Sequence, residues 1–217
     1  MITKIAGKLR LALAGLCIVC AAPMAAADER PLPFDFSGAY AGFSRTDGLG
    51  DSTWSDQTLP LNTGGFDLSG NGGGAILGYN WRTGRSYFGV ALDFTVNPLT
   101  GTGTASCTAG CETSLQNYVA LRAQLGHRMG DGHLYGFAGL AIGRVDLMPI
   151  GLPTQERDSR GWLAGIGYEH PWDNGWAFRV ELQYMDFEDT RYTLSGPVHG
   201  VSDNRVGMLR IGLTRYF

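Results

Sequence analysis

From residue 34 onward apolar residues recur at every second position, the period of a strand with two unlike faces. In SYFGVALDFTVN one row is Phe88, Val90, Leu92, Phe94 and Val96, and the other is Tyr87, Gly89, Ala91, Asp93 and Thr95. The stretch GWAFRVELQYMDF is sharper still. Its row Trp176, Phe178, Val180, Leu182, Tyr184 alternates with Ala177, Arg179, Glu181, Gln183, Met185. The pattern predicts eight strands, with cores at 36–45, 73–82, 86–97, 115–128, 133–146, 160–170, 175–188 and 205–217. No helix-period apolar stripe accompanies them. The first and fifth, AYAGF and LYGFAGLAIG, are apolar on both rows, which leaves their faces unassigned.

The connections alternate strictly in length. RTGRS, RMGDGH and PWDNG are short and rich in turn formers, whereas 46–72, 98–114, 147–159 and 189–204 are long and rich in Gly, Ser, Thr, Asp and Pro. In an up-and-down barrel all long loops then share one end and all short turns the other, as in an outer-membrane barrel. A soluble barrel would carry a solvated polar row. Here the polar rows mix small residues with isolated charges, which suits a narrow lumen, and the apolar rows end in Tyr79, Trp81 and Trp176, as an aromatic girdle would. The expected fold is therefore all-β: an eight-stranded antiparallel transmembrane barrel over residues 28–217, with both termini in the periplasm.

Residues 1–27 read differently. Lys4, Lys8 and Arg10 precede the apolar run Leu11 to Ala22, and Ala25 to Ala27 supply small residues for cleavage. That is the layout of a secretory signal peptide, and the run is short of the ~20 residues a spanning helix needs. Three of the 17 basic residues leave with it, so the mature chain has 14 basic against 20 acidic groups. All 14 are Arg, and with no Lys and a net negative charge a nucleic-acid partner is not expected. Two of the four cysteines also leave. Cys107 and Cys111, in TASCTAGCETS, read as a local disulfide in an oxidising compartment. Neither a third sulfur or imidazole for a metal nor a haem-attachment spacing accompanies them, so no cofactor is expected.

FSGAYAGF, GGGAILGYNW, FGVALDF, YGFAGLAIGRV, GWLAGIGYEHPWDNGWAFRVELQYMDF and RVGMLRIGLTRYF, in that order, resemble the outer-membrane β-barrel surface-antigen family, the opacity-protein-like porins of Gram-negative bacteria. The resemblance spans about residues 34 to 217. It implies an eight-stranded barrel among outer-membrane lipids and lipopolysaccharide, serving as a structural protein or surface antigen. It also implies a C-terminal assembly signal, carried here by Leu209, Ile211, Leu213 and Phe217, that docks on the barrel-assembly machinery. The sequence departs from the family at Ala91, where members often have Glu, at Gln124, where a second Arg is common, and at Arg215, where an aromatic is usual.

With the polar rows inward, Asp93, Glu169 and Glu181 share the lumen with Arg122, Arg179 and Arg210. Eight strands leave an interior that side chains fill, and enclosed charges must pair. These six residues are expected to form an ion-pair network that plugs the barrel and fixes register; the alternative is that some are wetted near a rim. A plugged lumen leaves room for slow small-solute leakage but not for a wide channel. An enzyme acting on lipid A is the rival class. His127, His133 and His170 fall at the short turns, however, and only His199 lies in a long loop, near Ser195, Ser202, Asp203 and Glu188. No catalytic set is expected. A third reading has the long loops bind host cells, antibodies or a haem, with Trp54 in the first as a contact.

Overall fold

The structure, a computed structural model, describes residues 34–56, 62–103, 111–149, 155–195 and 198–217. They form eight strands: β1 (Gly38–Asp56), β2 (Asn62–Thr83), β3 (Ser86–Gly103), β4 (Cys111–Met129), β5 (Gly132–Pro149), β6 (Gln155–Pro171), β7 (Trp176–Ser195) and β8 (Val198–Tyr216). Every neighbouring pair is antiparallel, and β1 pairs with β8 to close the barrel. The signal-peptide expectation at 1–27 lies outside the described residues.

Register fixes the shape. The path of paired residues that leaves β1 at Tyr40 and crosses Gly78, Ala91, Arg122, Gly139, Leu163, Met185 and Val206 returns to β1 at Gly50, ten residues on. With ordinary strand spacing and rise, that shear tilts the strands by about 40°, so each residue climbs about 2.5 Å along the axis. At one end two-residue turns join Thr83 to Ser86 and Met129 to Gly132. Gly84 and Gly130 each take φ 63°, a conformation an L side chain resists.

The long connections differ from the sequence expectation. Much of 46–72 is strand, because β1 runs on to Asp56 and β2 begins at Asn62, paired residue for residue from Asp47↔Asn71 to Thr53↔Gly65. Period two reports two unlike surroundings, and beyond the apolar band the outward face no longer meets lipid. The backbone ladder needs no such contrast, so pairing continues where the pattern stops.

The two strands without assignable faces now have them. Tyr40, Thr46 and Ser52 of β1 point inward, with Phe43 and Leu49 outward; Tyr135, Phe137, Ala141 and Val145 of β5 point inward, with Leu134, Leu140 and Ile142 outward. Both rows of β5 are apolar because its inner face packs aromatic rings into the lumen.

Candidate functional site

The lumen is filled in three layers. Its middle is a belt of charge. Arg122 donates from Nη2 to Glu181 Oε1 at 2.7 Å and from Nη1 to Oε2 at 3.2 Å, and its Nη1 lies 3.3 Å from Asp93 Oδ2. Arg210 reaches the same two acids: Nη2 donates to Asp93 Oδ1 at 3.1 Å, and Nη1 is 3.7 Å from Glu181 Oε2. Asp93, Arg122, Glu181 and Arg210 thus close a ring of alternating charge. Arg179 extends it, 3.6 Å from Glu181 Oε1 through Nη1 and 2.6 Å from Glu169 Oε1 through Nη2. All six side chains are buried. Strand parity aims them inward, and the tilt brings together residues as far apart in sequence as Asp93 and Arg210.

Neutral groups add partners to the belt, as desolvated charges favour, although Arg122 Nε and Arg210 Nε stay without a hydrogen-bond acceptor. Tyr135 donates to Glu181 Oε1 at 2.7 Å and Tyr216 to Glu169 Oε2 at 2.5 Å. The Arg122 guanidinium lies 4.3 Å from the Phe137 ring centroid, and Arg179 sits 5.2 Å from that of Tyr40. Sequence reasoning missed these phenols, because a tyrosine in a strand looks the same whether its hydroxyl meets lipid headgroups or a carboxylate.

Toward the short turns the lumen has an aromatic floor. The segment before β1 folds into the barrel: Phe36, expected to lie in a strand, is wholly buried with Tyr87, Tyr216 and His133 around it, at centroid distances of 6.0, 5.6 and 5.3 Å. Gln124 donates to Asn80 Oδ1 at 2.7 Å, and Asn80 donates to the Phe36 carbonyl at 2.9 Å. Arg128 holds the Phe34 carbonyl at 2.9 Å. So Gln124, one of the departures from the resembled family, tethers this segment, while Ala91 is buried beside the floor. Above the belt lies an apolar ceiling of Leu99, Leu115, Leu163, Met185, Phe187 and Met208. A polar lumen was the expectation. The upper lumen instead holds a small hydrophobic core, capped by the buried hydroxyls of Ser52, Thr113 and Ser202.

The outward face carries the other predicted residues. Tyr79, Trp81 and Trp176 are exposed at the short-turn end, with Trp81 stacked on Phe88 at 5.2 Å. Toward the other end Trp162 and Tyr184, which the sequence reading did not assign to a girdle, pair at 5.6 Å. Leu209, Ile211 and Phe217 are exposed, Leu213 is partly so, and Arg215 lies over the Trp176 ring at 5.9 Å. Cys107 lies outside the described residues, as do the side chains of Cys111, Trp54, Ser195, His199 and Asp203. His133 is inside, its Nδ1 3.7 Å from Glu169; His127 meets Ser86 at 3.1 Å on the outer wall, and Ser202 is buried against Ser52. The structure brings no Ser, His and carboxylate together among the described residues.

An exposed apolar wall around a buried charged belt inverts the arrangement of a water-soluble barrel. Residues 11–217 match the family model of the outer membrane protein beta-barrel domain. The chain belongs to that family. A 22 kDa outer membrane protein of Rhizobium leguminosarum bv. viciae is 30% identical to it over 182 residues, 83% of this chain and 81% of that one. Among solved structures, neisserial surface protein A is similar at 17% identity and TM-score 0.50, covering 83% of this chain and 98% of that one. The outer membrane protease OmpT of Escherichia coli is similar at 9% identity and TM-score 0.50, covering 87% and 99%. Such identities show a shared fold and nothing of a shared activity. This outer-membrane barrel therefore presents its apolar wall to lipid.

Proposed function

We propose that this barrel is a structural, surface-exposed protein of the outer membrane, serving envelope integrity or as a surface antigen, and that it carries no catalysis. The observation that carries the reading is the filled lumen: floor, belt and ceiling leave no aqueous path for a wide pore. The wall supports the setting. From Trp81 and Trp176 to Trp162 the strand lattice climbs about 22 Å, near the ~25 Å of an outer-membrane apolar band. On this reading a signal peptide at 1–27 directs export, and Leu209, Ile211, Leu213 and Phe217 dock on the assembly machinery. Tyr79, Trp81 and Trp176 form the periplasmic girdle, Cys107 and Cys111 close a surface loop, and lipopolysaccharide surrounds the outer half.

Three measurements test it. The purified barrel in planar bilayers should give no large steady conductance steps, and lipid A from cells with and without the gene should have one mass spectrum. Large steps overturn the plugged lumen, and a changed spectrum overturns the absence of catalysis. Loss of the gene should raise sensitivity to detergent; unchanged sensitivity speaks against the envelope role.

A further inference from the structure

The outer wall is not uniformly apolar. On β1 the outward row reads Phe43, Arg45, Asp47, Leu49, and Arg45 and Asp47 are 69% and 51% exposed. Arg45 grips its neighbour in a fork, Nε to Oδ2 at 3.3 Å and Nη2 to Oδ1 at 3.2 Å. In register the pair stands beside lipid-facing Ile211 and Leu209 of β8. On the strand lattice the Arg45 Cα is about 16 Å above Trp81 and Trp176 and about 6 Å below Trp162. At comparable heights other strands carry Phe94, Leu121 and Leu140, all exposed. Asp47, two residues on, stands about 5 Å higher and level with Trp162. The pair therefore straddles the upper edge of the apolar band, and is a costlier surface to leave against lipid than the apolar residues of the other strands. The neighbours are small: Gly73 is registered with Arg45 on one side, and Gly207 with Leu49 on the other.

We propose that this β8–β1–β2 face binds a second copy of the chain, through a quartet in which each Arg45 meets the Asp47 of the other copy. The pair selects its occupant by charge. A lipid phosphate would complement Arg45 but be repelled by Asp47 beside it, and an acyl chain complements neither. A second copy related by a twofold axis along the membrane normal keeps every residue at its own depth. It therefore presents both signs at the depth where both are needed, in a self-complementary contact. Gly73 and Gly207 let the two walls approach, as small residues do between membrane segments. The quartet removes two ion pairs from lipid at once.

The test uses full-length protein in outer membranes, with Cys107→Ser and Cys111→Ser so that introduced thiols are the only ones in the mature chain. Asn71→Cys, on this face, should oxidise to a covalent dimer, whereas Ile142→Cys on the far wall should not. Arg45→Asp or Asp47→Arg alone should cut the dimer fraction at least tenfold, and the two together should restore it. Arg45→Leu with Asp47→Leu, which suits lipid better, should fold and stay monomeric. Equal crosslinking at 71 and 142, no rescue by the charge swap, or an undiminished dimer in the double Leu variant would each overturn the proposal. So would loss of co-purified lipopolysaccharide from Arg45→Asp with no dimer in the parent, which would make lipid the occupant.

Discussion

Glu181 sits where three guanidiniums converge and a phenol donates, so no other acid in the belt has so many partners. Removing it leaves Arg122, Arg179 and Arg210 with two acids between them, in a space closed to water. Breaking a buried pair by deleting one partner costs roughly 3–5 kcal/mol. Glu181→Ala should lose about that much, read as a lower melting temperature of the purified barrel in detergent; an unchanged midpoint would mean that water reaches the belt. Glu181→Gln keeps the shape and the acceptor for Tyr135 but not the charge, so it should fall between. The members of this belt were legible from strand parity alone. Their pairing was not, because it depends on a shear that no single strand encodes.

At the scale of the strand, the same register decides which glycines are spacers and which are sockets. A methyl group at Gly78 of β2 would overlap the Tyr40 ring, whereas at Gly136 of β5 it would meet only the Gly165 carbonyl at 3.8 Å. Gly78→Val should therefore displace Tyr40 from Arg179 and cost about 1–3 kcal/mol of overpacking, while Gly136→Ala should leave the melting temperature near wild type. Both glycines look alike in sequence. On β8 the two outward positions 211 and 215 differ by depth. Ile211 faces mid-band, and Arg215 lies near the strand end, its guanidinium over Trp176. An Arg costs about 2–4 kcal/mol at the midplane and about 0–1 near an interface. Ile211→Arg should therefore lower the folded fraction on an unboiled gel, and Arg215→Tyr should not. Equal folding of both would mean that β8 sits at another depth.

Over the whole molecule, strand count, the three short turns and the outward wall could be read in advance, because lipid on one side and lumen on the other impose period two. The connections expected to be long could not, since strand takes up most of them, leaving two residues between β7 and β8. What stayed hidden lies where that contrast ends. The strand extensions carry no periodicity, and Phe36 reads as a strand residue in sequence because an aromatic two residues before a glycine suits a first rung as well as a plug. The layered lumen makes a prediction that separates sealing from stability. Phe36 is held by the rings of Tyr87, His133 and Tyr216 and by a carbonyl tether from Asn80, and it packs in a cluster separate from the ceiling. Phe36→Ala should cost about 3–5 kcal/mol, as aromatic truncations in cores do, and lower the melting temperature. Planar-bilayer conductance should nonetheless stay flat, because the ions would still meet six paired charges and a dry ceiling. Steady steps in the Phe36→Ala barrel would place the seal at the floor and leave the belt only a structural role.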